Sequence, residues 1–102
     1  MQLECRNVRV GDTVVVIPSG EIDRDTADAF RAAMLDAVAE AGTGRVEIDL
    51  TGVGFLDSSG VGALLVAHRS ATAAGATLVA SNPVPPVRTV LEITNVTGLL
   101  GL

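Results

Sequence analysis

A chain of 102 residues, 48% hydrophobic and 19% charged, has the material for one domain with a buried core and is no disordered segment. Seven basic residues against twelve acidic ones, with no lysine among them, leave a net charge of −5. That balance argues against nucleic acid as a partner, because phosphate backbones are bound by clustered cations.

Two Phe and no Tyr or Trp make the expected core aliphatic. The lone Cys5 has no partner for an internal disulfide, which fits a reducing compartment; it reads as a small buried or half-buried strand residue rather than a redox centre. The opening "MQLECRNVRV" is too polar for an export signal, and the apolar run around "GVGALLVAH" is about half a membrane span. The expectation is a cytoplasmic protein with no membrane association.

Along the chain, "VRVGDTVVVIPSGEI" reads as two strands joined through the tight-turn pair "GD". "DRDTADAFRAAMLDAVAEAG" reads as a helix started by Asp25 or a neighbour. Ala29, Phe30, Ala33, Met34, Ala37 and Val38 form its apolar stripe, and Gly42 and Gly44 stop it. "RVEIDLTGVGFLD" reads as a strand with Val46, Ile48 and Leu50 on one face. A second helix is expected from about Ser58 to Ala74, with Val61, Leu64, Leu65 and His68 on one face and Gly75 at its end.

"ATLVASN" is a short buried strand, and Pro86 falls in the first turn of a third helix, where its missing N–H costs nothing. "TGLLGL" is expected to begin a last short strand. The order strand, strand, helix, strand, helix, strand, helix, strand calls for one α/β domain over residues 1–102, with parallel crossovers. Partners of such sheets meet the loops at the carboxyl ends of the strands.

One of those loops, "LDSSG", places Asp57, Ser58 and Ser59 at a strand-to-helix seam. Asp57 or Ser58 serves as the N-cap, since a short side-chain oxygen there accepts from the unpaired N–H groups of the first turn. Ser59 is left over. Serine catalysis finds no base: His68, the only histidine, lies about 13 Å along the same helix, there is no lysine, and the stretch is no G-x-S-x-G elbow. The glycines Gly52, Gly54, Gly60 and Gly62 match neither nucleotide-loop pattern. The acidic set Glu21, Asp23, Asp25 and Asp57 reads as solvated surface before it reads as a metal site. A third use of Ser59 is attachment, since a phosphate there would add about −1.5 to −2 charges to an exposed helix start.

Three stretches, "SGEIDRDTADAF", "VEIDLTGVGFLDSSGVGALL" and "PPVRTVLEITNVTGLL", give the chain from about Glu4 to Leu100 a resemblance to the STAS domain of bacterial anti-sigma factor antagonists (anti-anti-sigma factors). The resemblance implies a STAS-like single domain, a mixed β-sheet of four to five strands with helices packed on it. It further implies binding to an anti-sigma factor that is also a serine kinase, which frees a sigma factor for transcription. Phosphorylation falls on the second serine of D-S-S-G, here Ser59, and switches binding off; a metal-dependent serine phosphatase reverses it.

Carried onto this chain, the partner-binding residues are Glu21, Asp23, Asp57, Ser58, Gly60 and Gly62. ATP and magnesium belong to the kinase, so the chain is expected to need no cofactor, to bind no metal and to be no enzyme. Family members continue into a terminal helix that is expected to be absent here, leaving an apolar flank and a weak homodimer. Two other readings remain open at this stage. One is an unphosphorylated STAS adaptor subunit of a transport or stress-signalling complex. The other is a receiver-like phosphoacceptor using Asp57, for which the customary lysine is missing.

Overall fold

The computed structural model describes residues 2–102; Met1, the first residue of the expected domain span, lies outside the described residues. The first two strands, β1 (Leu3–Val10) and β2 (Thr13–Ile22), form the expected antiparallel hairpin, in unbroken register from Leu3 opposite Gly20 to Val10 opposite Thr13. Helix α1 (Ala27–Ala41) then crosses to β3 (Arg45–Asp49), which runs parallel to β2, and α2 (Ser58–Ala73) crosses to β5 (Thr77–Ser81), parallel to β3. Two successive crossovers in one direction put both helices on one face of the sheet, where they pack against each other. The last helix, α3 (Pro85–Ile93), starts on two prolines and packs against β4 (Val53–Leu56). The sheet is mixed and five-stranded, in the order β1-β2-β3-β5 with β4 paired to β2.

Alternation decides which face is dry. Val14, Val16, Val46, Ile48, Leu78 and Ala80 point toward the helices and are buried. Phe30, Met34, Ala37 and Val38 of α1 and Val61, Leu64, Ala67 and Ala71 of α2 close over them. At ~25 cal/mol per Å² of apolar area removed from water, burial of this kind dominates the stability.

Four expectations are corrected by the packing. The segment "RVEIDLTGVGFLD" is two strands, not one. Leu50 turns into the core and the Asp49 carboxylate accepts from both the N–H (3.1 Å) and the hydroxyl (2.7 Å) of Thr51, which bends the chain out of β3. It re-enters as β4 further along the same edge of β2: the Gly20 N–H donates to the Gly52 carbonyl, while the next N–H, of Glu21, points the other way to the Gln2 carbonyl. Gly20 holds that junction at φ 125°, with the Gln2 carbonyl packed where a Cβ would stand.

"TGLLGL" is not a strand but a set of turns. Its N–H groups bond back locally, Leu100 to the Val96 carbonyl just before the segment and Leu102 to that of Thr97, and only the Leu100 carbonyl hydrogen-bonds to the sheet, accepting from Ala80. On α1, Ala29 faces solvent and Ala27 lies in the core, because the stripe Ala27, Phe30, Met34, Ala37 and Val38 keeps helical spacing from Ala27 while Ala29 falls about 100° off Phe30. On α2 the dry stripe runs Gly60, Val61, Ala63, Leu64, Ala67 and Ala71; Leu65 and His68 are half-buried at its margin.

Candidate functional site

The site is built where β2 and β4 end side by side. Ile22 pairs with Leu56 and Glu21 with Phe55, and one residue later the Asp57 N–H donates to the Ile22 carbonyl at 3.1 Å. These contacts bring the loop after β2, "EIDRDT", against the loop after β4, "LDSSG". Glu21, Asp23, Asp57, Ser58 and Ser59 therefore share one end of the sheet, although 36 positions separate Asp23 from Ser59 in a chain of 102.

Each loop is held by one aspartate. Asp23 Oδ1 accepts from the N–H groups of Asp25 (2.9 Å) and Thr26 (3.1 Å). Thr26 is buried at 9% exposure; its hydroxyl donates to the Glu21 carbonyl (2.8 Å) and accepts from the Asp23 N–H (3.0 Å). The start of α1 is therefore organised by Asp23 and Thr26, neighbours of Asp25. Sequence reasoning passed over Thr26, although the D-x-x-T spacing carries the signal of a helix start.

In the second loop the cap is Asp57, not Ser58. Asp57 Oδ1 accepts from the Ser59 N–H at 2.9 Å and from the Gly60 N–H at 3.3 Å, and its carbonyl accepts from Val61. Ser58 is exposed at the first helical position and Ser59 is half-buried at the second. Neither hydroxyl has a hydrogen-bond partner among the described residues.

This capping has an electrostatic consequence. A helix start attracts an anion because its N–H groups are unpaired and its dipole is positive there. Here the Asp57 carboxylate already takes the N–H groups of Ser59 and Gly60. An anion added to the Ser59 hydroxyl would stand beside that carboxylate, with Glu21, Asp23 and Asp25 in the neighbouring loop and Arg24 the one cation within it.

The two glycines expected at the site differ. Gly60 is buried, and a Cβ there would run into the Leu56 side chain and stand 2.7 Å from Ile22 Cγ2; the α2 start packs directly on the ends of β2 and β4. Gly62 is exposed and a Cβ would meet nothing within 4 Å. Three positions after Ser59, it shares the outward side of the helix.

Phe55 was not anticipated. It is 42% exposed beside Glu21, because the register steps between Gly20–Val53 and Glu21–Phe55, leaving Gly54 unpaired and turning Phe55 outward while Val53 and Leu56 both stay buried. Among the described residues no three His, Cys, Asp or Glu side chains form a metal-binding group, and no helix is long and apolar enough to cross a membrane.

With this geometry established, similarity to known proteins is informative. The family model described as "Mlab, STAS domain" matches residues 5–101. An anti-sigma F factor antagonist of Lysinibacillus sphaericus is 32% identical over 81 residues, 79% of this chain and 69% of that protein. The solved structure of the anti-sigma factor antagonist SpoIIAA in its unphosphorylated form superposes with a TM-score of 0.79 at 29% identity, covering 93% of this chain and 84% of that one. The Bacillus cell fate determinant SpoIIAA in its phosphorylated form superposes with a TM-score of 0.71 at 26% identity, covering 95% and 87%.

Proposed function

The chain belongs to the STAS-domain family of anti-sigma factor antagonists, and we propose that its unphosphorylated form binds an anti-sigma factor that is also a serine kinase, so freeing a sigma factor for transcription. Phosphorylation of Ser59 by that kinase ends the association, and a metal-dependent serine phosphatase restores it. The chain acts as a binding module in the cytoplasm, and both the ATP and the metals belong to its partners.

The observation that carries this reading is the pairing of Ser59 with Asp57. The serine hydroxyl is unbonded at the half-buried second position of α2, while the carboxylate of Asp57, two residues before it, occupies the Ser59 and Gly60 N–H groups that would otherwise neutralise a phosphate. The phosphoryl group would therefore remain an unneutralised charge of about −1.5 to −2. It would be added to a surface already acidic through Glu21, Asp23 and Asp57. Docked there, a partner that complements the acidic loops meets added negative charge and a larger group at its centre. The exposed Phe55 and the bare backbone at Gly62 supply the apolar and close-approach parts of the same surface, with Ser58 and Gly60 shaping the helix start between them.

Incubation with the host's candidate anti-sigma kinases and ATP, followed by peptide mass spectrometry, tests the proposal. The expected result is one phosphate, on Ser59. Ser59→Ala should accept none and still bind the kinase, and Ser59→Asp should bind more weakly. Stoichiometric phosphate on Ser59→Ala, or equal affinity of the wild type and Ser59→Asp, contradicts the charge switch. Absence of phosphate with every kinase, together with binding to a membrane-transport or scaffold protein, would replace it with the adaptor reading. An acyl phosphate on Asp57 would be cleaved by hydroxylamine, which leaves phosphoserine intact.

A further inference from the structure

The two edges of the sheet are not equivalent. At β5 the Leu100 carbonyl accepts from Ala80 and the terminal turns lie against Val79, so that edge is partly covered. At β1 no strand or turn pairs with the outer edge among the described residues: Glu4 to Val10 are all exposed, α1 meets the strand through the Asn7 and Arg9 side chains, which donate to the Ala33 and Glu40 carbonyls, and there is no proline and no bulge to interrupt pairing. The Glu21 N–H donates to the Gln2 carbonyl, which fixes the alternation. Gln2, Glu4, Arg6 and Val8 turn their backbone groups to β2, and Leu3, Cys5, Asn7 and Arg9 turn theirs outward.

The charges on β1 then discriminate among ways of extending the sheet with a second copy. A two-fold axis perpendicular to the sheet pairs β1 with its symmetry mate antiparallel and keeps each face on its own side. Centred on Glu4 the register opposes Glu4 to Glu4, and centred on Arg6 it opposes Arg6 to Arg6, both repulsive. Centred on Asn7 it faces Glu4 with Val10 and Arg6 with Val8, leaving both charges unmatched. Centred on Cys5 it faces each Glu4 with the other copy's Arg6, twice by symmetry.

Neither Glu4 nor Arg6 has an ion-pair partner within the described residues, whereas the third charge, Arg9, is held by the Glu40 carboxylate at 3.6 Å and does not obstruct this register. Glu4 and Arg6 also border an open hollow of about 440 Å³, with Cys5, Ile17 and Ser19 beside them.

We infer that β1 is a self-association edge, on which a second copy of this chain pairs antiparallel about Cys5 with reciprocal Glu4–Arg6 contacts. The two sheets become one. The carboxyl ends of the parallel strands point in opposite directions along it, so both Ser59 loops stay outside the seam, and the inference stands or falls apart from the switch proposed at Ser59. In this register Cys5 faces Cys5 as a hydrogen-bonded pair with Cα atoms about 5.5 Å apart, within the range a disulfide spans. The thiol is thereby a reporter of the register.

Sedimentation equilibrium of the full chain under reducing conditions tests the edge. The expected result is a concentration-dependent dimer. Glu4→Arg, which turns both attractive contacts into repulsions, should raise its Kd by about tenfold or more. Arg6→Glu should do the same, and the double exchange Glu4→Arg with Arg6→Glu should restore wild-type association. These positions are exposed, and circular dichroism checks that each variant stays folded. Mild oxidation should trap a Cys5–Cys5 dimer in the wild type and the double variant but not in either single variant. A monomer at every concentration up to about 1 mM, a dimer indifferent to the charge reversals, or trapping equal in all variants overturns the inference.

Discussion

Removing the Asp57 side chain tests how the site loop is held. Of its two cap bonds, the one from the Ser59 N–H at 2.9 Å has ordinary length, and the one from the Gly60 N–H at 3.3 Å is at the weak limit. Losing an N-cap side chain costs about 1 kcal/mol, up to about 2. Losing a negative charge at a helix start adds about 0.3–1 kcal/mol at a partly exposed position. With one good bond and one poor one, Asp57→Ala should cost about 1–2 kcal/mol. For a domain of this size that is a fall in Tm of roughly 5–15 °C. Asp57→Asn keeps the accepting oxygen and loses the charge, so its cost should be about half.

Ser58→Ala is the control. The residue is exposed, its hydroxyl is unbonded, and its replacement should change stability by less than ~0.5 kcal/mol. Urea unfolding followed by circular dichroism measures all three variants on one scale. If Ser58→Ala costs as much as Asp57→Ala, or if Asp57→Ala is silent, the cap has been assigned to the wrong side chain. A phosphate at Ser59 would then find the Ser59 and Gly60 N–H groups free to neutralise it.

The two glycines of the α2 start should respond in opposite directions. Gly60→Ala drives a methyl into Leu56 and Ile22 and should destabilise by about 1–3 kcal/mol; Gly62→Ala adds a methyl into open space and should stabilise the helix by about 1 kcal/mol while weakening the partner complex. A stabilised Gly62→Ala that binds the anti-sigma factor normally would remove Gly62 from the docking surface. At the β3 end, the Thr51 hydroxyl chiefly, helped by the Thr51 N–H and the Asn82 amide against a smaller opposing effect of burial, holds Asp49 below the usual carboxylate range. Its stabilisation is complete above the unfolded-chain pKa near ~4 and is lost as pH falls through the lower folded value. Asp49→Asn should therefore flatten the acid side of a stability profile followed by the urea midpoint, and parallel profiles for the two proteins would show that the Thr51 contacts carry no net free energy.

Much of this protein is legible in one dimension because its signals are local. The β1–β2 hairpin follows from a two-residue turn between alternating strands, and the α3 start follows from prolines whose missing N–H costs nothing there. The D-S-S-G seam announces a helix start with a hydroxyl to spare. Those features depend on neighbours within a few residues. The resemblance to a family rests on them too, since it is carried by short stretches in a set order.

Tertiary packing decided the rest. Whether Asp57 or Ser58 caps α2 depends on the direction in which the chain leaves β4, and that is set by the Asp57 N–H reaching across to Ile22. The break between β3 and β4 is invisible in the alternation of Val46, Ile48 and Leu50. It arises because β2 pairs with two separate segments on one edge, with Leu50 drawn into the core between them. The exposure of Phe55 depends on a register step that no local propensity encodes. "TGLLGL" has the composition of a strand, yet its N–H groups find partners within local turns, and only the Leu100 carbonyl hydrogen-bonds to the sheet. A sequence states which groups need partners; which partner each one meets is settled by long-range pairing, through the geometry of the whole sheet.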